Sequence, residues 1–161
     1  MTKQIYYAAP LFSRADQFYN EHLASLLREA FPAEELYVPQ EQTDINDKSL
    51  YADSQQIAGY DVRELLKSKL VVASLDGGQV DPGVAAEIGI AYQAGIPVVA
   101  LYSDVRQEGA DNQEKIKALQ QEVAESQFSY VNLFVVGIVK LNGTVVSTEQ
   151  ALVSAIREKL Q

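Results

Sequence analysis

The chain has 161 residues, 47% of them hydrophobic and 22% charged, which suits one globular domain able to bury a core unaided. Its 13 basic residues are outnumbered by 22 acidic ones, giving a net charge of −9 with no basic run, and this argues against nucleic acid or an anionic membrane as a partner, because such binding is driven by Lys and Arg neutralising phosphates. There are no cysteines, which excludes disulfides and thiolate metal sites, and a His-rich site or a Ser-His-Asp triad would have to depend on the single histidine, His22.

The start, "MTKQIYYAAP", is too short and too polar for a signal peptide, and no window approaches 18 uninterrupted apolar residues, so a soluble, cytoplasmic protein is expected. Gln4 to Pro10 read as a buried first strand. The following "SRADQFYNEHLASLLREAF" has helical spacing at Phe18, Leu23, Leu26, Leu27 and Ala30, with Ser13 as its cap and Pro32 as its stop. His22 lies in this helix among charged neighbours and reads as a solvated residue. Glu35 to Pro39 form a second short strand. Residues 40–54 are polar without a clear period, a connection long enough to suggest function. Helical spacing returns in "SQQIAGYDVRELLKSK", with Ile57, Tyr60, Leu65 and Leu66 as its apolar side.

Leu70 to Asp76 are the clearest buried strand in the chain. After the "GGQV" loop, "DPGVAAEIGIAYQAG" is a well-punctuated helix: Asp81 at the cap, Pro82 at the first helical position, Gly95 just past the end and Pro97 barring continuation. "IPVVALYS" is a fourth strand and "DNQEKIKALQQEVAES" a charged amphipathic helix. "YVNLFVVGIVKL" is ambiguous between strand and helix. Asn142 and Gly143 signal a tight turn. "STEQALVSAIREKL" is a closing helix, with Ser147 and Gln150 placed as a capping box. Apolar strands alternating with helices predict an α/β fold: one domain over 1–161 with a doubly wound parallel sheet covered on both faces.

In such sheets ligands bind beyond the carboxyl ends of the strands. The residues expected there are Tyr6 and Tyr7, then Gln40, Glu41 and Gln42, then Asp76 and Asp81, then Ser103 and Asp104. No glycine-rich dinucleotide fingerprint and no phosphate-binding "GxxxxGK[ST]" occur, and the acids of "LDGGQVDPG" would repel phosphate. A receiver-like Mg²⁺ site needs paired acids at the end of the first strand, where the sequence reads "YYAAP". What remains is carboxylate chemistry on a neutral, hydroxyl-bearing substrate, in which one carboxylate attacks an anomeric carbon and another protonates the leaving group. Glu87 is the only charged residue between Pro82 and Gly95, so it is the candidate nucleophile, and its nearness to a helix N-terminus should favour its anion. Asp81 is the candidate acid or base-recognition group. The plain alternatives are a solvated Glu87 and an Asp81 that only caps its helix.

"IYYAAPLF", "DPGVAAEIGIAYQAG" and "NLFVVG", in that order and spacing, resemble the nucleoside 2-deoxyribosyltransferase family over most of the chain. The middle motif is fairly specific; the other two are weak alone. The resemblance implies a flavodoxin-like fold, no cofactor, and transfer of a 2-deoxyribosyl group between purine or pyrimidine bases through a covalent glutamyl intermediate. It matches Glu87 to the nucleophile, Asp81 and Asp61 to the acids that contact the base and handle its proton, and Tyr6 to the tyrosine beside the nucleophile. Asn132 matches the asparagine that a neighbouring subunit lends to the sugar 5′-hydroxyl, Phe134 stands where the family often has methionine, and Gly83 belongs to the substrate-binding motif. Gln42 matches a base-contacting glutamine at a spacing one residue shorter, with Gln40 as its competitor.

The implied partners are 2′-deoxynucleosides, free nucleobases and further copies of the chain, a hexamer built as a trimer of dimers in the family. Two departures stand out: "AAE" stands where bulkier residues often precede the nucleophile, and "ALVSAIREKLQ" is a plain amphipathic helix where some members end in a tyrosine whose terminal carboxylate joins the site. The rival readings are an N-glycosidase that hydrolyses deoxynucleoside 5′-monophosphates, for which only Ser13 and Arg14 hint at phosphate contact, and a non-catalytic ligand-binding module.

Overall fold

The computed structural model describes residues 4–43 and 51–161. The apolar runs become five parallel strands: β1 (Ile5–Ala8), β2 (Leu36–Tyr37), β3 (Leu70–Ser74), β4 (Val98–Leu101) and β5 (Thr144–Val146), ordered β2-β1-β3-β4-β5. The helices are α1 (Arg14–Ala30), α2 (Ser54–Lys67), α3 (Pro82–Gln93), α4 (Gln113–Gln121), α5 (Leu133–Asn142) and α6 (Glu149–Leu160), with short 3₁₀ turns at Pro39–Glu41 and Val105–Gln107. This is the doubly wound α/β architecture that the alternation predicted, in flavodoxin-like order.

Side chains along a strand point alternately to opposite faces. Ile5, Tyr7, Leu70, Val72, Val99 and Leu101 therefore pack on one face with Leu23 and Leu27 of α1 and Leu152 and Ile156 of α6. Tyr6, Ala8, Val71, Ala73, Val98 and Ala100 pack on the other with Leu65 of α2, Val84, Ile88 and Ala91 of α3, and Val135 and Val139 of α5. Strands buried on both faces have no polar side, which is why their sequences are continuous apolar runs.

Several expectations are corrected. Phe18 is 76% exposed, because it lies two residues, or about 200° of helix, before the buried Asn20 of α1. Ile57 and Leu66 are likewise exposed on α2, leaving Leu65 and Tyr60 to meet the core. The ambiguous "YVNLFVVGIVKL" resolves as helix α5, and a fifth strand that sequence patterning missed, only three residues long, follows it. Asn142 and Gly143 form no hairpin. Asn142 ends α5, and Gly143 is extended and pressed against β4, where any β-carbon would overlap the Val98 carbonyl oxygen. The cap of α6 is Thr148, whose hydroxyl accepts from the Ala151 amide, so Ser147 lies one residue too early. Residues 44–50 of the polar connection at 40–54 fall outside the described residues.

Candidate active site

Three elements end together above β1 and β3. Helix α3 starts at Asp81, whose Oδ1 accepts from the backbone amides of Gly83 at 2.8 Å and Val84 at 3.1 Å; Pro82 fills the position where an amide would have no partner. The sheet-facing stripe of α3 is Val84, Ile88 and Ala91. Glu87 falls on that stripe, three residues after Val84, so the helix carries its carboxylate in towards the sheet. Alternation in β1 turns Tyr6 to the same face, and the Tyr6 hydroxyl donates to Glu87 Oε1 at 2.6 Å.

The Tyr6 ring is fully buried and stacks on Tyr37 at 5.2 Å between centroids; Tyr37 in turn donates to Asp61 Oδ1 at 3.5 Å and lies against Tyr60. Sequence reasoning did not find Tyr37 as part of this site. It meets Tyr6 only because β2 pairs with β1 in the register Tyr6 to Tyr37, which no local pattern shows.

Burial raises the Glu87 carboxyl from 4.5 to about 7, opposed by the Tyr6 hydrogen bond and assisted by the negative charges of Asp61 and Asp81. The expectation that the helix N-terminus would favour the anion is therefore outweighed. The dipole acts within the first turn, and there its free amides are taken by Asp81. Burial also raises the Asp61 carboxyl, against a smaller opposing effect of the Tyr37 hydroxyl. Burial, reinforced by the charge of Glu87, raises the Tyr6 hydroxyl far above its ordinary value, so it remains a proton-bearing donor. Two carboxyls whose hold on a proton is strengthened by burial thus sit in one cavity.

That cavity measures about 150 Å³ and is lined by Ala9, Pro10, Leu11 and Phe12 from the β1–α1 loop, Pro39 after β2, Asp61 of α2, and Asp81, Gly83, Val84 and Glu87 of α3. It is smaller than the ~300 Å³ typical of small-molecule sites. Of the residues singled out from sequence, Tyr6, Asp61, Asp81, Gly83 and Glu87 come together here. Asn132 and Phe134 do not. Asn132 is the exposed cap of α5, its Oδ1 accepting from the amides of Phe134 and Val135, and Phe134 is 77% exposed. Gln42 donates to the Val38 carbonyl beside Pro39. Gln40 spends both ends of its amide on α1, accepting from Asn20 and donating to the Gln17 carbonyl.

A larger groove of about 410 Å³ between α1 and α6 is lined mainly by aliphatic groups, and its Glu149 is held by Tyr19 and His22. Glu29 is the second acid that lines this groove. At the start of α1, Asp16 accepts from both the amide and the hydroxyl of Ser13, and Arg14 donates to Gln17. Asp76 accepts from the amide and hydroxyl of Ser103 and so ties the ends of β3 and β4. Among the described residues no cluster of three or more potential metal ligands occurs, and no helix is long and apolar enough to cross a membrane.

The sequence model of the nucleoside 2-deoxyribosyltransferase family matches residues 5–132, and the chain belongs to this family. The match spans β1 to the cap of α5 and so includes every residue that lines the cavity. Among solved structures, a conserved protein from Enterococcus faecalis V583 is 53% identical, with 99% of each chain covered and a TM-score of 0.92. The fold is shared with a 2-deoxyribosyltransferase from Leishmania mexicana (17% identity, 97% of each chain, TM-score 0.64). It is shared also with one from Bacillus psychrosaccharolyticus (14% identity, 92% of this chain and 89% of that one, TM-score 0.62). Curated proteins include no match.

Proposed function

We propose that the protein exchanges the nucleobases of 2′-deoxynucleosides by a double displacement through Glu87. The observation that carries this reading is the 2.6 Å hydrogen bond from Tyr6 to a Glu87 carboxylate that shares its cavity with Asp61 and Asp81. A retaining transfer needs a fixed carboxylate nucleophile and a second group able to give and take a proton.

In the first half-reaction Glu87 forms a bond to C1′ as the C1′–N bond breaks, and the electron pair leaves with the base. Tyr6 holds the attacking carboxylate and favours its ionised form. Asp61, whose carboxyl burial raises, supplies the proton to the departing base, and Asp81 orients that base with the oxygen its cap leaves free. In the second half-reaction a nitrogen of the incoming base bonds to C1′, the ester bond to Glu87 breaks, and the proton of that nitrogen returns to Asp61. Two inversions give net retention.

The remaining wall comes, in this reading, from a second copy of the chain. Asn132 and Phe134 sit at the exposed start of α5, and Leu133 (80% exposed) and Leu141 (70%) extend an apolar outer surface along it. A homo-oligomer that covers this surface would bring Asn132 to a neighbour's sugar 5′-hydroxyl and exclude the water that would hydrolyse the ester. Selectivity for an unphosphorylated substrate has its own support: the amide and hydroxyl of Ser13, one of the two residues that hinted at phosphate contact, already donate to the Asp16 carboxylate. Incubating thymidine with adenine tests the reading. Deoxyadenosine should form, and a quenched reaction should carry a deoxyribosyl adduct on the peptide containing Glu87. Release of thymine with free deoxyribose alone, or no turnover, would refute transfer.

A further inference from the structure

The two loops that supply half of the cavity wall, Ala9–Phe12 after β1 and the Pro39 turn after β2, are joined by side-chain amides. Asn20 of α1 is 4% exposed. Its Oδ1 accepts from the buried Tyr7 hydroxyl at 3.0 Å. Its Nδ2 uses both hydrogens, one on the Pro10 carbonyl at 2.9 Å and one on Gln40 Oε1 at 2.9 Å. Gln40 Nε2 then donates to the Gln17 carbonyl at 3.1 Å, and Gln17 Nε2 donates to the Leu11 carbonyl at 3.2 Å. Asn20, Gln17 and Gln40 do not line the cavity, yet they fix Pro10 and Leu11, which do, and the turn that carries Pro39.

Each side-chain amide nitrogen in this group donates to an acceptor, and a satisfied network centred on a buried Asn20 favours one arrangement over several. Amides also stay neutral at every pH at which Glu87 titrates. The wall spacing they set is therefore independent of the protonation of the acids across the cavity.

We infer that Asn20 is a positioning residue that, through Pro10 and Gln40, fixes the separation of the two cavity walls and so governs whether the glycosyl-enzyme gives its sugar to a nucleobase or to water. The inference rests on the proposed exchange through Glu87. In either outcome a bond forms to C1′ as the ester bond to Glu87 breaks, and the attacking nitrogen or water passes its proton to an acidic side chain of the cavity. A flat base needs the walls at a set distance; water does not. Loosening them should hinder one acceptor and admit the other.

The test compares wild type with Asn20→Ala and Gln40→Leu. Gln40→Leu cuts the link to the turn after β2 while leaving Asn20 on Pro10, so it serves if Asn20→Ala fails to fold. Three quantities are read: the pre-steady-state burst of thymine from thymidine, the KM for adenine as acceptor, and the ratio of deoxyadenosine to free deoxyribose. Both variants should raise the adenine KM and lower the ratio by roughly tenfold, a scale in keeping with sub-ångström displacement of a reactant, while the burst changes by less than about threefold. An unchanged ratio and KM would overturn the inference, as would equal losses in burst and transfer with melting temperature falling in step, which is the mark of a structural role alone. Absence of deoxyadenosine from the wild-type reaction would instead overturn the exchange reading, and this inference with it.

Discussion

Tyr6 and Glu87 stand 81 positions apart in the chain and meet at 2.6 Å, one on β1 and one on α3. The bond opposes the burial that drives the Glu87 carboxyl upward. Removing it with Tyr6→Phe should therefore push the Glu87 pKa higher and slow exchange. Hydrogen bonds to charged groups are worth about 1.5–3 kcal/mol, so a loss of roughly tenfold to a hundredfold is expected near neutral pH, and less in alkaline solution. A pH–rate profile coincident with that of wild type would remove Tyr6 from the mechanism. Glu87→Ala should reduce exchange below a few per cent of wild type while leaving the fold intact.

The pH dependence of the wild type follows from the same carboxyl. In the proposed mechanism Glu87 must be ionised to attack, so kcat/KM for the donor nucleoside should rise with pH through about 7. Stability should run the opposite way. A carboxyl raised from 4.5 to about 7 by folding binds its proton more tightly in the folded state, so ionising it costs stability as pH climbs across that window. Glu87→Gln removes this cost. The variant should melt above wild type at pH 8, with the difference shrinking towards pH 4.5 and below; an identical gap at both ends would contradict the raised carboxyl.

On the proposed reading Asp81 has two duties, and one substitution separates them. Its Oδ1 caps α3, and asparagine caps about as well as aspartate, so Asp81→Asn should leave the melting temperature nearly unchanged. The other carboxylate oxygen becomes an NH₂ that cannot accept from a nucleobase. Exchange should fall by roughly 10²-fold, the scale of losing a hydrogen bond to a charged group. Wild-type exchange rates in this variant would leave Asp81 as a cap only.

Asn132 is exposed on α5, away from the cavity of its own chain. Glu87→Ala and Asn132→Ala subunits, each inactive alone, should regain activity when mixed and allowed to reassemble, because some sites then pair an intact Glu87 with an intact Asn132. Sedimentation should show an oligomer. A fully active monomer, or mixtures that never recover, would contradict a shared site.

Gly143 is needed for close approach rather than for a turn. Gly143→Ala drives a methyl group into the Val98 carbonyl, and since β5 pairs with β4 immediately afterwards there is little room to yield. A cost of about 3 kcal/mol is expected, which for a chain of this size lowers the melting temperature by roughly 10 °C. A melting temperature within a degree or two of wild type would show that the edge strand gives way cheaply.

Much of the scaffold was legible in one dimension. Apolar runs of four or five residues, Ser13, and the Asp81, Pro82 and Gly95 punctuation of α3 act over one helical turn or one strand, so their sequence signals survive unaltered in the fold. Less survived where a neighbour decided the outcome. "YVNLFVVGIVKL" is apolar enough for either state, and three-residue β5 is a strand only because β4 offers it an edge. The Asn-Gly signal misled because packing against Val98, not turn geometry, is what calls for glycine there.

By itself, then, the sequence determined the α/β alternation, the caps of α1 and α3, and a lone carboxylate in an apolar helix, all consequences of short-range sterics and hydrogen bonding. Only the tertiary structure decided what surrounds that carboxylate. Strand order brought β1 between β2 and β3, register set Tyr37 against Tyr6, and helix packing brought Asp61 and Asp81 into one cavity with Glu87. The Glu87 carboxyl is raised by burial and by charges from distant parts of the chain, and burial is a property of the assembled layers that no single segment possesses.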